Sequence, residues 1–177
     1  TSTYTTAVVF GALIAAADLA EKVGDKKSAI AWQATAEDIR HAAHSLLFNK
    51  KRGFFYKGMR ASHHDIDYHE TIDVSSFYGA FMFGLFPLHS EEVTKSYETL
   101  CKRFNVSDDP NQVTPLPRYE HDRYNAVDAE QGNPWFITTI WLAQYYLETD
   151  QLARAETVIR WVKEKMMTTG VLSEQLN

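Results

Sequence analysis

Apolar residues recur at helical spacing along most of the chain, and the segments differ in how much of their circumference is apolar. The segment from about Thr5 to Val23 is alanine-rich and apolar nearly all round, which predicts a helix buried on most sides. The segment from about Asp25 to Phe48 has one apolar stripe and charged residues elsewhere. That pattern predicts an amphipathic helix with one face in solvent.

The middle of the chain interrupts this pattern. Phe54–Tyr56 predicts a short strand, and the polar stretch Arg60–Glu70 predicts a loop. A third helix, rich in phenylalanine, is predicted to start at a cap formed by Asp73 or Ser75 and to end near Phe86.

Three further helices are predicted at about Ser90–Phe104, Pro134–Glu148 and Gln151–Met167. The irregular stretch Asn105–Asn133 separates the first two of these, and loops of such length are usually functional. Helices one, three and five are apolar and aromatic, whereas two, four and six are amphipathic. The chain is therefore predicted to be all-α, with six helices in three antiparallel pairs. An (α/α) toroid produces this alternation, and a generic helical solenoid would produce it too.

Composition narrows the possible functions. The chain has 177 residues, 45% of them hydrophobic and 23% charged, which is typical of one globular domain. Its net charge of −5, with acids and bases interleaved, excludes a basic nucleic-acid-binding face. No apolar run reaches the roughly 18 residues of a membrane span, and Thr1–Thr6 lacks the features of a signal peptide. The compartment stays open.

No cofactor or metal is expected. The chain lacks a glycine-rich phosphate loop and a G-x-S-x-G motif, and its single cysteine, Cys101, cannot form an internal disulfide. The remaining candidate is a group of histidines and aspartates whose spacing fits no zinc pattern, and a solvated polar loop is predicted there instead. Its members are His63, His64, Asp65, Asp67 and His69.

Two charged residues are candidates for chemistry on sugars. Glu174 follows the last predicted helix, where a loop carboxylate could act as a general base on a water, although its position equally suits a surface side chain. Arg118 follows a proline-rich approach, and its guanidinium could donate forked hydrogen bonds to vicinal sugar hydroxyls while Asp122 orients it. A structural ion pair within the loop is the alternative.

Aromatic residues accompany these charges. Trp135, Tyr119 and Tyr124 could form a platform on which the apolar face of a sugar ring stacks. A tryptophan at the start of an apolar helix also suits core packing, and the pattern alone leaves both interpretations open.

Three segments in this order resemble the catalytic domain of family 15 glycoside hydrolases, the glucoamylases, glucodextranases and their trehalase-like relatives. They are Arg118–Tyr124, Gly132–Ala143 and Gly170–Gln175. The resemblance implies part of an (α/α)6 barrel, of which residues 1–177 would form a single partial domain, the C-terminal portion.

The resemblance also implies a reaction and roles. The family performs inverting exo-hydrolysis that frees glucose from the non-reducing end of α-linked glucans or oligosaccharides. Glu174 would be the general base, Arg118 would hold hydroxyls of the terminal glucose, and Trp135 and Tyr119 would lie beside the same subsite. Asp122 would support Arg118. Linkage specificity among α-1,4, α-1,6 and trehalose stays open.

The family's general acid would precede Thr1, so this chain alone is expected to be inactive. Its partners would be an α-glucan and the rest of its own catalytic domain. Exposed inner helices could also cause self-association. Two alternatives remain: a non-catalytic regulatory or scaffolding domain with a glucoamylase-like fold, and a plain helical interaction domain. Retention of Glu174 and Arg118 favours the enzyme.

Overall fold

A computed structural model of the chain describes residues 1–62, 65–127, 130 and 132–176. Helices account for most of the regular structure over these residues, and two short antiparallel hairpins complete it. The helices are α1 (Thr3–Lys22), α2 (Lys26–Leu46), α3 (Val74–Met82), α4 (Glu91–Phe104), α5 (Phe136–Glu148) and α6 (Leu152–Lys165). The strands are β1 (Phe48–Asn49), β2 (Phe54–Phe55), β3 (Gly58–Ala61) and β4 (Ile66–His69).

Side-chain caps explain where four of these helices begin. The side chains of Ser2, Asp25, Asp73 and Ser90 accept hydrogen bonds from backbone N–H groups in the first turns of α1, α2, α3 and α4. Of the two residues predicted to cap the third helix, Asp73 forms the cap, and Ser90 caps α4 at the predicted start of the fourth helix. α5 has no side-chain cap, and the N–H of its N-cap residue, Trp135, donates to the carbonyl oxygen of Leu116 in the preceding loop.

The helices pack in consecutive pairs: α1 on α2, α3 on α4 and α5 on α6. α3 also packs against both α1 and α5. The start of α1 contacts the Lys57 segment, whose side chain reaches the cap of α3, and Arg118 connects the start of α3 to that of α5. The N-terminal ends of α1, α3 and α5 therefore lie at one end of the molecule, and the candidate site is there.

Aromatic side chains dominate the core between these helices. Tyr78 of α3 stacks on Trp141 of α5 with ring centroids 4.5 Å apart and planes within 8° of parallel. Phe77 packs edge-on against Tyr145 at 5.0 Å. Offset stacks and edge contacts of this kind add to the gain from burying the rings. They fix α5 relative to α3 and hence the two helix ends that carry the site.

Several predictions were wrong. The chain is mostly helical rather than all-α, because the stretch predicted to be a polar loop forms the β3–β4 hairpin, with Gly58 opposite His69. α3 ends at Met82 instead of Phe86, since Gly84 adopts a left-handed φ of 70° that no helix can continue.

α1 is less buried than its composition predicts. Val9 and Leu19 are 44% and 62% exposed, because among the described residues only one side of α1 meets α2 and α3. By length and hydropathy α1 could also cross a membrane, which the expectation of no spanning segment had missed. This is weak evidence, since core helices of soluble proteins meet the same criterion.

Candidate active site

Three backbone hydrogen bonds hold the long loop against the starts of α3 and α5. The N–H of Val74 donates to the carbonyl oxygen of Arg118 at 2.9 Å, and the N–H of Glu120 donates to Ile72 at 3.0 Å. Further along, the N–H of Trp135 donates to Leu116 at 2.9 Å. The loop is thus held to both helices on either side of Arg118.

Hydroxyl groups on the first turn of α5 strengthen this attachment. Thr138 Oγ1 donates to the carbonyl oxygen of Leu116 at 2.7 Å, and Thr139 Oγ1 accepts from the Leu116 N–H at 3.0 Å. All three residues are buried, and both backbone groups of Leu116 have a hydrogen-bond partner, as buried polar groups require.

Glu120 anchors the same loop from its other side. Its carboxylate accepts from the Ile72 N–H at 2.9 Å and pairs with Arg103 at 2.9 Å and Arg52 at 3.3 Å. Burial alone would raise the pKa of Glu120, but these donors outweigh it and lower the pKa below its ordinary value. Glu120 is therefore a charged tie between the loop, α4 and the first hairpin.

Asp122 holds the guanidinium of Arg118 in a fork. Arg118 Nε and Nη2 donate to the two carboxylate oxygens of Asp122 at 2.7 and 2.8 Å, and the Tyr124 N–H donates to the same carboxylate at 3.1 Å. Asp122 is only 1% exposed, so a second ionised group must compensate its charge. The structure therefore brings Arg118 and Asp122 into direct contact, as both the sugar-binding and the structural ion-pair interpretation require.

The pKa values reflect this pairing. Burial raises the pKa of Asp122, but the hydrogen bonds from Arg118 and Tyr124 lower it by more. The pKa of Asp122 is therefore below its ordinary value. The pKa of Arg118 is raised, chiefly by the hydrogen bonds to Asp122, with a smaller contribution from the negative charge of Glu174. Both groups of the fork therefore stay charged throughout the physiological pH range.

Gly132 fits closely behind Asp122. Its φ is +76°, which favours glycine, and a Cβ there would lie 3.0 Å from both Asp122 Cβ and the Asp122 carbonyl oxygen. The returning loop can therefore approach Asp122 closely only because this position lacks a side chain.

Three aromatic rings surround the guanidinium of Arg118. Its Cζ lies 4.3 Å from the ring centroid of Trp135, 5.0 Å from that of Tyr124 and 5.3 Å from that of Tyr119. Trp135 is 5% exposed, so it combines core packing with a place at the site, whereas Tyr124 is exposed. The indole N–H of Trp135 is buried and has no hydrogen-bond partner within the described residues.

A cavity of about 190 Å³ opens between the ends of α3 and α5. Arg118, Tyr119 and Trp135 line it, together with Lys57 and Asp73. Lys57 Nζ lies 3.1 Å from Asp73 Oδ2 and 3.4 Å from the centroid of the Tyr119 ring. No local pattern pointed to Lys57, because it reaches the site from the segment between β2 and β3, far away in the sequence.

The C-terminal segment returns to the same place. Trp135 and Gln175 form an isolated antiparallel bridge, and the Leu176 N–H donates to the carbonyl oxygen of Pro134 at 2.9 Å. Glu174, which precedes Gln175, is exposed, and its negative charge contributes to the raised pKa of Arg118. All five predicted residues are thus gathered at one end of the fold: Arg118, Tyr119, Asp122, Trp135 and Glu174.

The arrangement offers a fixed hydrogen-bond donor, aromatic surface and a solvent-accessible carboxylate. Over the described residues, no group of three or more histidine, cysteine or acidic side chains is placed to hold a metal ion. In the histidine-rich stretch, Asp67 and His69 lie on β4, while His63 and His64 lie outside the described residues.

The sequence of the chain is similar to those of glycosyl hydrolases. The family model described as "Glycosyl hydrolases family 15" matches residues 1–167, a segment that includes Arg118, Tyr119, Asp122 and Trp135 and ends before Glu174. An uncharacterized glycosyl hydrolase of Methanocaldococcus jannaschii is 26% identical over 98% of this chain and 28% of its own length. A glucoamylase of Blastobotrys adeninivorans is 31% identical over 38% of this chain and 12% of its own length.

Solved structures share the fold. A bacterial glucoamylase complexed with acarbose superposes with a TM-score of 0.77 at 17% identity, covering 99% of this chain and 29% of the glucoamylase. A glycosidase variant in complex with glucose gives 0.73 at 18% identity, with 99% and 41% covered. The glucoamylase of Saccharomycopsis fibuligera gives 0.62 at 18% identity, with 94% and 38% covered. The chain therefore spans well under half the length of these proteins.

Proposed function

The chain belongs to glycosyl hydrolase family 15, and we propose that it forms part of an inverting, exo-acting α-glucoside hydrolase. The enzyme would release glucose from the non-reducing end of an α-glucan or α-glucooligosaccharide. This chain would supply the general base and part of the subsite for the terminal glucose. The rest of the catalytic domain would close the (α/α)6 barrel, of which the six helices of this chain would form roughly half.

The Arg118–Asp122 fork carries the proposal. Asp122 occupies the Nε–Nη2 edge of the guanidinium, and within the described residues no hydrogen bond engages Nη1. The Nη1–Nη2 edge is thus available to two neighbouring sugar hydroxyls at the wall of the 190 Å³ cavity. Trp135 and Tyr119 line the same cavity, and aromatic surface there suits the apolar side of a pyranose ring.

Glu174 is the proposed general base. Its carboxylate is exposed beside the cavity, as a group that must hold and deprotonate a water has to be. Because the family model ends before Glu174, this role rests on the position of Glu174 and on the resemblance of the Gly170–Gln175 segment.

A second carboxylic acid would complete the reaction. Inversion needs an acid that protonates the leaving oxygen, about 6.5–9.5 Å from the base, so that a water fits between them. We propose that this acid belongs to the part of the catalytic domain that precedes Thr1. The chain by itself would then bind a terminal glucose weakly and hydrolyse nothing.

The test is glucose release by the full-length protein from maltotriose, isomaltotriose and trehalose, with a Glu174→Gln form in parallel. Activity on one sugar that collapses in the variant supports the proposal and identifies the linkage. Release of β-glucose, followed by NMR, checks inversion. A folded full-length protein that cleaves none of the three would instead favour the regulatory or scaffolding alternative.

A further inference from the structure

One largely buried carboxylate, that of Glu120, has no task in the proposed reaction. Its side chain is 11% exposed and follows Arg118 by two positions in the sequence. Both of its oxygens already accept hydrogen bonds: Oε1 from the N–H of Ile72 and from Arg52, and Oε2 from Arg103. Glu120 is not among the described residues that line the 190 Å³ cavity. Any part that it plays in the reaction must therefore pass through another residue.

Glu120 extends the short backbone ribbon that holds Arg118 at the start of α3. The N–H of Val74 donates to the carbonyl oxygen of Arg118 at 2.9 Å, and the N–H of Glu120 donates to Ile72 at 3.0 Å. The N–H of Ile72 returns a hydrogen bond of 2.9 Å to the side chain of Glu120. Because so short a pair of strands is marginal by itself, the side-chain bond adds to its stability at the end next to Glu120.

Two arginines from separate elements hold the same carboxylate. Arg103 lies near the C-terminal end of α4 and donates from Nε at 2.9 Å, while Arg52 lies in the turn between β1 and β2 and donates from Nη2 at 3.3 Å. Arg52 is itself fixed, because its N–H donates to the side chain of Asn49 at 3.1 Å and its guanidinium donates to the carbonyl oxygen of Glu70. Glu120 thus connects α4 and the first hairpin to the loop that carries the fork.

We propose that Glu120 is a positioning residue for the guanidinium of Arg118. With the loop held at both Glu120 and Asp122, Arg118 would keep its Nη1–Nη2 edge toward the cavity before a sugar enters. A displacement of about 1 Å in such a group can lower the rate about 100-fold, so a fixed loop matters to the reaction. The inference rests on the proposed function and adds to it that α4 and the first hairpin, which supply Arg103 and Arg52, help to orient the site.

A double-mutant cycle in the full-length protein separates positioning from stability. Glu120→Gln keeps the shape of the side chain but removes the charge that the two arginines share. We expect kcat/KM to fall about tenfold on whichever of maltotriose, isomaltotriose and trehalose the wild type cleaves best. In an Arg118→Lys background the fork is already lost, so adding Glu120→Gln should lower kcat/KM by less than about threefold. Independent effects would multiply instead.

A milder variant and a matched control complete the cycle. Arg103→Gln leaves Glu120 its bonds to Ile72 and Arg52, so it should lower kcat/KM about threefold alone and not at all beside Arg118→Lys. Glu92→Gln removes another partly buried carboxylate of α4, one that is paired with His44 of α2 at 3.8 Å. It should leave kcat/KM unchanged, whatever it does to the melting temperature.

The outcomes distinguish this inference from the proposed function. An unchanged kcat/KM in both Glu120→Gln and Arg103→Gln would overturn the inference and leave the proposed function intact. Losses that multiply in the double variants, together with a lower melting temperature, would also overturn it, because Glu120 would then only stabilise the fold. A folded wild-type protein that cleaves none of the three sugars would overturn the proposed function and this inference together.

Discussion

Trp135 and Gln175 pair through their backbones, and this bridge brings the end of the chain to the first residue before α5. The pairing matters for Glu174, because among the described residues the backbone next to it is held only through its neighbours Gln175 and Leu176. The proposed base and the aromatic wall of the cavity therefore share one local support. Loosening the bridge would free the Glu174 segment, whereas Trp135 would keep its backbone hydrogen bond to Leu116.

Replacing the proposed base should abolish turnover. In the full-length protein, Glu174→Gln keeps the shape of the side chain but cannot accept a proton from water, so kcat should fall by a factor of about 10²–10⁴. Glucose release measures the loss. Glu164→Gln, an exposed glutamate on α6, is the control and should keep full activity. A Glu174→Gln enzyme within threefold of wild type would exclude Glu174 as the base.

Replacing the fork should weaken transition-state binding. Lysine keeps the charge of Arg118 but cannot meet Asp122 and a pair of hydroxyls through a planar fork, so Arg118→Lys should lower kcat/KM by about 10–100-fold. Arg160→Lys on the exposed face of α6 is the matched change and should have no effect. Similar kinetics for the two variants would mean that Arg118 has only a structural role.

Acid should destabilise the protein partly through Asp122. Its pKa is lowered in the folded state, so its contribution to stability is present above its unfolded pKa of about 3.9 and is lost as the pH falls through the folded value. In Asp122→Asn the free energy of unfolding should therefore change less between about pH 5 and pH 3. Denaturant titrations of full-length protein at several pH values measure this slope. An unchanged slope would contradict the pairing with Arg118.

Glycine is required at position 132 for two separable reasons. Gly132→Ala places a side chain at positive φ and also against Asp122, whereas Gly24→Ala has a similar φ of +84° with nothing within 4 Å. Gly24→Ala should cost about 1–2 kcal/mol from backbone strain alone. Gly132→Ala should cost more and should also reduce glucose release, because Asp122 must move. Equal melting temperatures and full activity for both variants would count against the close fit.

The isolated chain should be inactive and should self-associate. Leu147, Leu152 and Ile159 are exposed around an apolar depression of about 420 Å³ on α5 and α6, and Val9 and Leu19 are exposed on α1. Apolar surface of this kind favours association. Sedimentation velocity should show oligomers, and glucose release should not exceed that of the Glu174→Gln chain. A sharp monomer peak with cooperative melting would contradict the first expectation.

The helices and two of their caps were predictable because the signals are local. Periodicity located all six helices, and Asp73 and Ser90 stood at the right offsets from apolar runs. The contact of Arg118 with Asp122 was also predictable, since Asp122 follows Arg118 by only four positions in the sequence. The β3–β4 hairpin was missed because its residues are mostly polar and half exposed, so its composition resembles that of a loop.

The rest depends on contacts between distant segments. Lys57 reaches Asp73 and Tyr119 only because the hairpin passes the start of α1, and neither the spacing nor the chemistry of the Tyr56–Lys57 segment indicates this. Trp135 could be assigned to the core or to the site from its sequence position. The fold buries its side chain and also places its ring against the guanidinium of Arg118. Burial of α1 was overestimated, because burial is set by the neighbours that a helix meets and not by its own composition.

The fork between Arg118 and Asp122 also implies a stereochemical filter. With the Nε–Nη2 edge taken, a single edge of the guanidinium remains for a sugar, and it can meet only two oxygens at a set separation. In a sugar epimer with one of those hydroxyls turned axial, the two oxygens would keep a similar separation, but one of them would leave the mean plane of the ring. A ring held in the same position would then leave one donor unsatisfied. By this account Asp122, which no substrate need touch, takes part in deciding which hexose the site accepts.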